Sequence, residues 1–282
     1  MIGFVILHYK NINDTIECIE SIKKLDRQED LSIVVVDNNS LNDLELEELK
    51  KYTDDVILSE YNLGVSKAYN LGSKYAIEKY KPDFLCALNN DILINQSNFI
   101  ELIEDTYKEY KFDALGPKII CPGDSVNPFP VFDSLESVSS RIERNDKLIN
   151  IYSNSFKSFI FEVGLKIKSI FKKSKKIENG NHLVSGCALH GCFIIFSKKY
   201  YKKYNDVMLP DTFLFHEEEF LYFRFKKNNL VSIYNPKLEI VHKEGQALKK
   251  GSTSIRIRKL NKLKEANKSL NILKEKLIND DF

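Results

Sequence analysis

The chain has 282 residues, 43% of them hydrophobic and 29% charged, with a formal net charge of +2. That is the make-up of a folded globular protein with ample apolar matter for a core, and it excludes a disordered or collagen-like chain. The near balance of charge argues against nucleic acid as a partner, and five cysteines, mostly set in apolar runs, suit reduced thiols rather than a disulfide framework.

Residues 2–7 form a continuous apolar run, the mark of a strand buried on both faces. No basic segment precedes it, and no run in the chain approaches the ~18 apolar residues of a membrane span, so a cytoplasmic protein is expected. Asn13 is placed to cap a helix whose Ile12, Ile16, Ile19 and Ile22 recur at helical spacing. A β-branched strand follows over 31–36 and ends at Asp37; helix signals resume in "LNDLELEELKKY", and 55–59 is a third short strand. "NLGVSKAYNLGSKYAIEKY" predicts a helix with Ala68, Leu71, Tyr75 and Ala76 on one face, "DFLCALN" a fourth strand, and 96–110 another helix. This alternation implies an α/β fold: a mostly parallel central sheet with helices on both faces.

Further on, "ALGPKIICPG" reads as a fifth strand, and the stretch to about residue 181 as a polar, then basic, insertion. "HLVSGCALHGCFIIFSKKYY" predicts a turn, a strand and a helix; Cys187 and Cys192 in it lack the paired spacing of a zinc site. "LPDTFLFHEEEFLYFRFKKNN" sets three glutamates at a helix start, and "VSIYNPKLEIVH" predicts two short strands ending at His242.

In an open parallel sheet the carboxyl ends of the strands share one edge, where ligands bind. His8 and Tyr9 follow the first strand here, Asp37 and Asn39 the second, and Asn89, Asn90 and Asp91 the fourth, while Asn62 and Gly64 open the helix after the third. Asn-Asn-Asp at a strand exit has two readings, a turn built on Asx geometry or a carboxylate placed for a cation. Neither a GxGxxG nor a GxxxxGK[ST] loop occurs, so a diphosphate handled at this edge would need a cation instead. Glu217, Glu218 and Glu219 likewise either complement the helix dipole or, wedged between "TFLF" and "FLYF", supply a base tuned by burial.

The ordered set "VILHYKN", "VVVDNNS", "NLGVSKAYNLG", "LNNDI", "LHGCFIIFSKKYY", "FLFHEEEFLYFRFKKNN" and "IVHKEG" resembles the inverting nucleotide-sugar glycosyltransferases of family 2, with the GT-A fold. The last three are most similar to capsule, O-antigen and rhamnosyl-type enzymes. The resemblance implies a UDP- or dTDP-sugar donor, a glycan or lipid-linked glycan acceptor and a divalent cation, Mg²⁺ or Mn²⁺. It places His8 and Tyr9 at the nucleotide pocket and Asp37, with Asn39, at the base or ribose. Asn62, Gly64 and Asn70 would shape the donor cleft. Asn89, Asn90 and Asp91 stand where the family has its DxD motif, with Asp91 the metal ligand and Asn89 replacing the first acid; His242 approaches the metal or the diphosphate. Glu218 would be the base and Glu217 its neighbour in the acid pair, with His190 and Gly191 beside the acceptor.

The division that follows is a nucleotide-sugar half over 1–123, a variable basic insertion over 124–181, an acceptor half over 182–245 and a basic helical tail over 246–282. Two rivals are a sugar-nucleotide-forming nucleotidyltransferase, which would want a glycine-rich basic loop after the first strand, and a non-catalytic nucleotide-sugar-binding module, for which two intact acid sites have no use.

Within the insertion, 155–177 predicts a helix with Phe156, Phe159, Ile160, Val163, Ile167, Ile170 and Phe171 on one stripe. Lys157, Lys166, Lys168, Lys172, Lys173, Lys175 and Lys176 occupy the other arc, on which Phe161 and Leu165 intrude. Such a helix either docks its stripe on the catalytic domain or lies in the plane of an anionic membrane surface, attaching the protein peripherally to the cytoplasmic face.

Overall fold

A computed structural model describes residues 1–53, 55–123, 125–171, 179–244 and 254–282, without the side chains of 166–171. The first half alternates as expected: β1 (Ile2–His8), α1 (Ile12–Ile22), β2 (Leu31–Asp37), α2 (Asp43–Leu49), β3 (Val56–Leu58), α3 (Val65–Tyr80), β4 (Phe84–Asn89), β5 (Ile92–Leu93), α4 (Phe99–Tyr110) and β6 (Ala114–Ile120). Two helices follow in the insertion, α5 (Leu135–Ser153) and α6 (Ser155–Phe171). The chain then returns through β7 (Val184–Ser185), β8 (Phe193–Ser197), α7 (Lys198–Lys203), α8 (Glu217–Lys227), β9 (Ser232–His242) and α9 (Ile255–Asn279).

Among the described residues the strands form one nine-stranded sheet, ordered β3-β2-β1-β4-β8-β6-β9-β5 with β7 on β9. The pairs β3-β2, β2-β1 and β1-β4 are parallel. β8 runs against both neighbours, β4 and β6, while β9 is again parallel to β6. The fold is therefore mixed α/β with a mostly parallel sheet, and its antiparallel members are gathered in the second half. There, β9 is one strand where two short ones are expected; a register shift opposite Pro117/Lys118 absorbs the irregular "NPK".

The alternation of side chains across the sheet divides the core. Phe4, Ile6, Cys86, Leu88, Phe193 and Ile195 face the layer carrying Ile19, Ile22, Phe99 and Ile103. Val5, Leu7, Val34, Val36, Ile194 and Phe196 face the other layer, with Tyr69, Ala76, Leu221 and Phe225. Each Val, Leu, Ile or Phe among them contributes about 1.5–3 kcal/mol by leaving water.

Two local expectations change. Asn11, not Asn13, precedes α1, in the left-handed region and without a side-chain cap. Leu71 is 37% exposed, because α3 lays its small residues against the sheet: a Cβ at Gly72 would stand 2.5 Å from Val5 and Val36 methyl carbons.

α8 is apolar on two sides. Leu221 and Phe225 pack toward the sheet, while Phe220 and Phe223 join Val138 and Ile142 of α5 and Leu270 and Leu273 of α9. The stretch read as a tail is thus a 25-residue helix that covers α8. A helix buried on both flanks drags its first turn inside, and that turn is Glu217-Glu218-Glu219. No described helix is long and apolar enough to cross a membrane.

Candidate active site

A cleft of about 490 Å³ opens at the carboxyl ends of β1 and β4, lined among others by Tyr9, Lys10, Asn90, Asp91, His242 and Glu244. Lys10, Asn11 and Glu244 on its rim all have left-handed backbone, with φ of 60°, 52° and 51°. Non-glycine residues adopt this region at a cost and gather where a site demands it.

Sheet register brings Asp91 to His242. β5 pairs with the end of β9 so that Ile92 lies opposite His242, and the Lys243 N–H donates to the Asp91 carbonyl at 3.0 Å. His242 Nε2 then stands 3.3 Å from Asp91 Oδ1. On the ring's other side, Nδ1 meets Ser125 Oγ at 3.1 Å, and Ser125 Oγ donates its proton to Glu244 Oε1 at 2.7 Å. With that proton committed to Glu244, Ser125 can only accept from the imidazole. The ring therefore carries a proton on Nδ1, which turns Nε2 toward Asp91.

Among the described residues no cluster of three or more His, Cys, Asp or Glu could hold a metal ion. Asp91 and His242 do fit a cation that takes its remaining ligands from a diphosphate: one hard oxygen and one oriented imidazole nitrogen. Such an ion, when bound, would offset charge on phosphate oxygens.

The nucleotide-side residues divide into cleft and wall. Tyr9 lines the cleft at 38% exposure. His8 does not; it is 1% exposed and its Nδ1 meets Thr15 Oγ1 at 2.6 Å. Asn90 donates to that same hydroxyl at 3.0 Å and to the Lys10 carbonyl at 3.1 Å, so His8 braces the Asn90 turn from behind. Burial holds the His8 pKa below its ordinary value, against the pull of Asp37 and Glu45, which keeps the ring neutral. Asn89 accepts from the Tyr69 hydroxyl at 2.8 Å.

Asp37 is 4% exposed and occupied at home, accepting from Ser40 N at 3.0 Å and Ser40 Oγ at 2.9 Å. Asn39 is the exposed left-handed residue of that turn, with φ 59°. Asn62 accepts from the Gly64 N–H at 2.9 Å. Gly64 has φ +78°, and a Cβ there would stand 2.1 Å from the Phe213 carbonyl oxygen, so only glycine lets this loop meet the segment leading to α8. Asn70 is spent on Met208, donating to its carbonyl at 2.8 Å and accepting from its N–H at 2.9 Å. It braces that same segment and does not line the cleft.

The acid cluster lies past His190. His190 Nδ1 accepts from the Cys192 N–H at 3.0 Å, its ring centre is 6.1 Å from that of His242, and burial lowers its pKa despite Glu218. The next residue carries the junction: the Gly191 N–H donates to Glu218 Oε1 at 2.9 Å. A Cβ at Gly191 would stand 2.9 Å from the same oxygen, so the glycine lets the Glu218 carboxylate come close to the backbone.

The three glutamates occupy three environments. Glu217 is 8% exposed, its Oε1 lacks any hydrogen-bond partner, and burial, helped by the Glu218 charge, pushes its pKa up to about 8. Glu218 is half-buried on Gly191. Glu219 is buried and meets His216 Nδ1 at 3.2 Å. Phe215 and His216, which set the direction of entry into α8, both have left-handed backbone.

The sequence did not single out Ser125, Asn127, Glu244 or Thr15. Asn127 Oδ1 accepts the His190 N–H at 2.7 Å, placing the start of the insertion in the wall of the site. Only the recurrence of short polar residues around "CPGDSVN" hinted at it.

A sequence model described as "Glycosyl transferase family 2" matches residues 4–204. Among solved structures, S. aureus TarS 1-349 aligns over 86% of this chain and 60% of its own, at 16% identity and a TM-score of 0.50, and a TarS structure in complex with UDP gives the same values. GalNAc-T7, solved with UDP, GalNAc and Mn²⁺, aligns over 93% of this chain and 47% of its own, at 12% identity and a TM-score of 0.57. At such identities the likeness establishes the fold, and the chain spans roughly half of these longer proteins. No curated protein sequence matches the chain.

Proposed function

The chain belongs to glycosyl transferase family 2 and has the GT-A fold, and on that premise we propose that it is an inverting transferase moving a hexosyl or deoxyhexosyl group from a UDP- or dTDP-sugar to a glycan or lipid-linked glycan. The setting is bacterial surface polysaccharide synthesis of the capsule or O-antigen kind, at the cytoplasmic face of a membrane. The neighbours solved with UDP support the class of donor, and the one solved with Mn²⁺ supports a divalent cation.

One observation carries the reading. Asp91 with His242, which line the cleft, and Glu218, held by Gly191 outside that lining, are the two ends of a seam of contacts that runs through His190. The first end suits a diphosphate leaving group; the second suits the incoming hydroxyl. Asp91 and His242 would hold the cation through their oxygen and nitrogen. Glu218, oriented by the Gly191 N–H, takes the acceptor hydroxyl proton as that oxygen attacks the anomeric carbon from the face opposite the diphosphate, and one displacement inverts the centre. Glu217, kept protonated near neutrality by its burial, adds no second negative charge beside it.

Incubation of the full chain with a panel of UDP- and dTDP-sugars and Mn²⁺ tests this. Sugar transfer, or slow donor hydrolysis to a product of inverted configuration, is expected. Pyrophosphate release from nucleoside triphosphates, or donor binding with no turnover in the presence of acceptor extracts, contradicts it.

A further inference from the structure

α6 leaves an apolar stripe in solvent. The residues it turns to the body are Ser158, Phe161 and Glu162, at helical spacing, with Leu165, 42% exposed, at the mouth of the pocket beneath; Glu162 meets Lys259 Nζ at 2.5 Å and accepts from the Tyr152 hydroxyl at 2.5 Å. The opposite stripe, at the same spacing, is Phe156, Phe159, Ile160 and Val163, exposed by 72%, 66%, 55% and 41%. α6 thus has a face that meets the body through Ser158, Phe161 and Glu162 and a second, apolar stripe left in solvent, which an ordinary amphipathic surface helix does not have. Residues 172–177, the rest of the stretch read as one helix, lie outside the described residues.

Beneath α6 is a second feature without an assigned use. α5, α6 and α9 enclose a pocket of about 330 Å³ with an apolar floor that includes Leu148, Phe161 and Leu263. Arg141, Arg144 and Lys262 stand around it, and among the described residues none of them forms an ion pair with a carboxylate. Arg141 lies over the Phe132 ring, its Nε is buried with no acceptor, and burial together with Arg144 lowers its pKa against the pull of Glu219. Asn145 in the same wall is 1% exposed with an unpartnered Oδ1. Arg144 and Lys262 border an apolar hollow without a carboxylate partner among the described residues, and Arg141 beside them, although it feels the Glu219 charge, has a buried donor unanswered. A phosphate ester attached to acyl chains would offer an anion to these cations and a chain to the hollow.

We propose that the outer face of α6 rests in the interface of an anionic phospholipid bilayer and that the α5–α6–α9 pocket takes a phospholipid phosphate from it. Charge decides between this occupant and a second copy of the chain, because a two-fold pairing through this corner would bring the same cations against each other. Lys262 also lies 5.4 Å from the centre of the Phe215 ring, two residues before Glu217, so a bilayer held here borders the acceptor end of the seam. The inference deepens the proposed acceptor side and rests on that reading for orientation alone.

Vesicle flotation of the full chain tests it, with phosphatidylcholine vesicles alone and with phosphatidylglycerol added. Binding is expected only with the anionic lipid, falling by about tenfold or more in Phe159→Asp/Val163→Asp and, separately, in Arg144→Glu/Lys262→Glu. Soluble dihexanoyl phosphatidylglycerol should protect the wild type in thermal shift and not the arginine–lysine variant; equal protection by inorganic phosphate would reassign the pocket to a free anion. No flotation, equal flotation of either variant, or a dimer in light scattering that the α6 variant dissolves would overturn the proposal. UDP binding with Mn²⁺ should be unchanged in both variants, which separates this failure from failure of the nucleotide-sugar reading.

Discussion

Asp91 and Glu217 are equally hidden, each 8% exposed, and the protein treats them in opposite ways. Asp91 sits at a strand exit where neighbours converge on it: the His242 imidazole faces its carboxylate, and Lys243 secures its backbone. Glu217 sits at the start of a helix pressed between the sheet and α5–α9, and its Oε1 meets no donor. Desolvation beside the Glu218 charge makes Glu217 hold its proton, while Asp91 faces an imidazole that would share a cation with it. Burial alone therefore does not assign an acid its role; the groups around it do.

The contrast at the base end predicts the largest effect. Glu218→Gln keeps the size and the Gly191 contact but cannot take a proton, so transfer should fall by about 10²–10⁴-fold with UDP binding intact. Glu217→Gln, already neutral in function, should lose much less, and the opposite ranking in matched kinetics would move the base to Glu217. At the cation end, Ser125→Ala removes the group that holds the His242 proton on Nδ1. Mn²⁺ affinity, read by calorimetry with UDP present, should weaken by about 10–100-fold; an unchanged affinity would mean that the ring needs no such support.

The smallest effect is a stability signature. The Glu217 pKa rises from its ordinary 4.5 to about 8 on folding, so between those values the folded state holds a proton that the unfolded state has lost. Stability from this group is full below about pH 4.5 and is lost as pH rises through about 8. Glu217→Gln abolishes that loss. Its melting temperature should exceed that of the wild type by about 2 °C or more at pH 9, and the gap should narrow toward pH 5. A gap independent of pH would show that Glu217 is not held protonated.

Much of this was legible in the chain. Short apolar runs marked the core strands, and the polar residues at their ends converged on one edge because parallel connections put them there. The glutamate cluster between aromatic runs was visible, as was the apolar stripe of α6. What could not be read were matters of register and direction. Nothing local says that Ile92 pairs with His242, or that Ser125 lies between His242 and Glu244. His8 and Asn70 look like site residues by position, but Thr15 takes the His8 Nδ1 and Met208 takes both polar atoms of Asn70. A helical wheel finds the α6 stripe yet cannot tell which face meets the protein; Tyr152 and Lys259, both contacting Glu162 from other helices, decide that.

The assignment of separate duties to the two ends is tested most directly by titrating UDP into wild type, Asp91→Ala and Glu218→Gln, each with and without Mn²⁺. Mn²⁺ should tighten UDP binding in the wild type and in Glu218→Gln to the same degree and have no effect in Asp91→Ala, while all three melt alike at neutral pH. Undiminished Mn²⁺-dependent tightening in Asp91→Ala, or its loss in Glu218→Gln, would contradict that assignment.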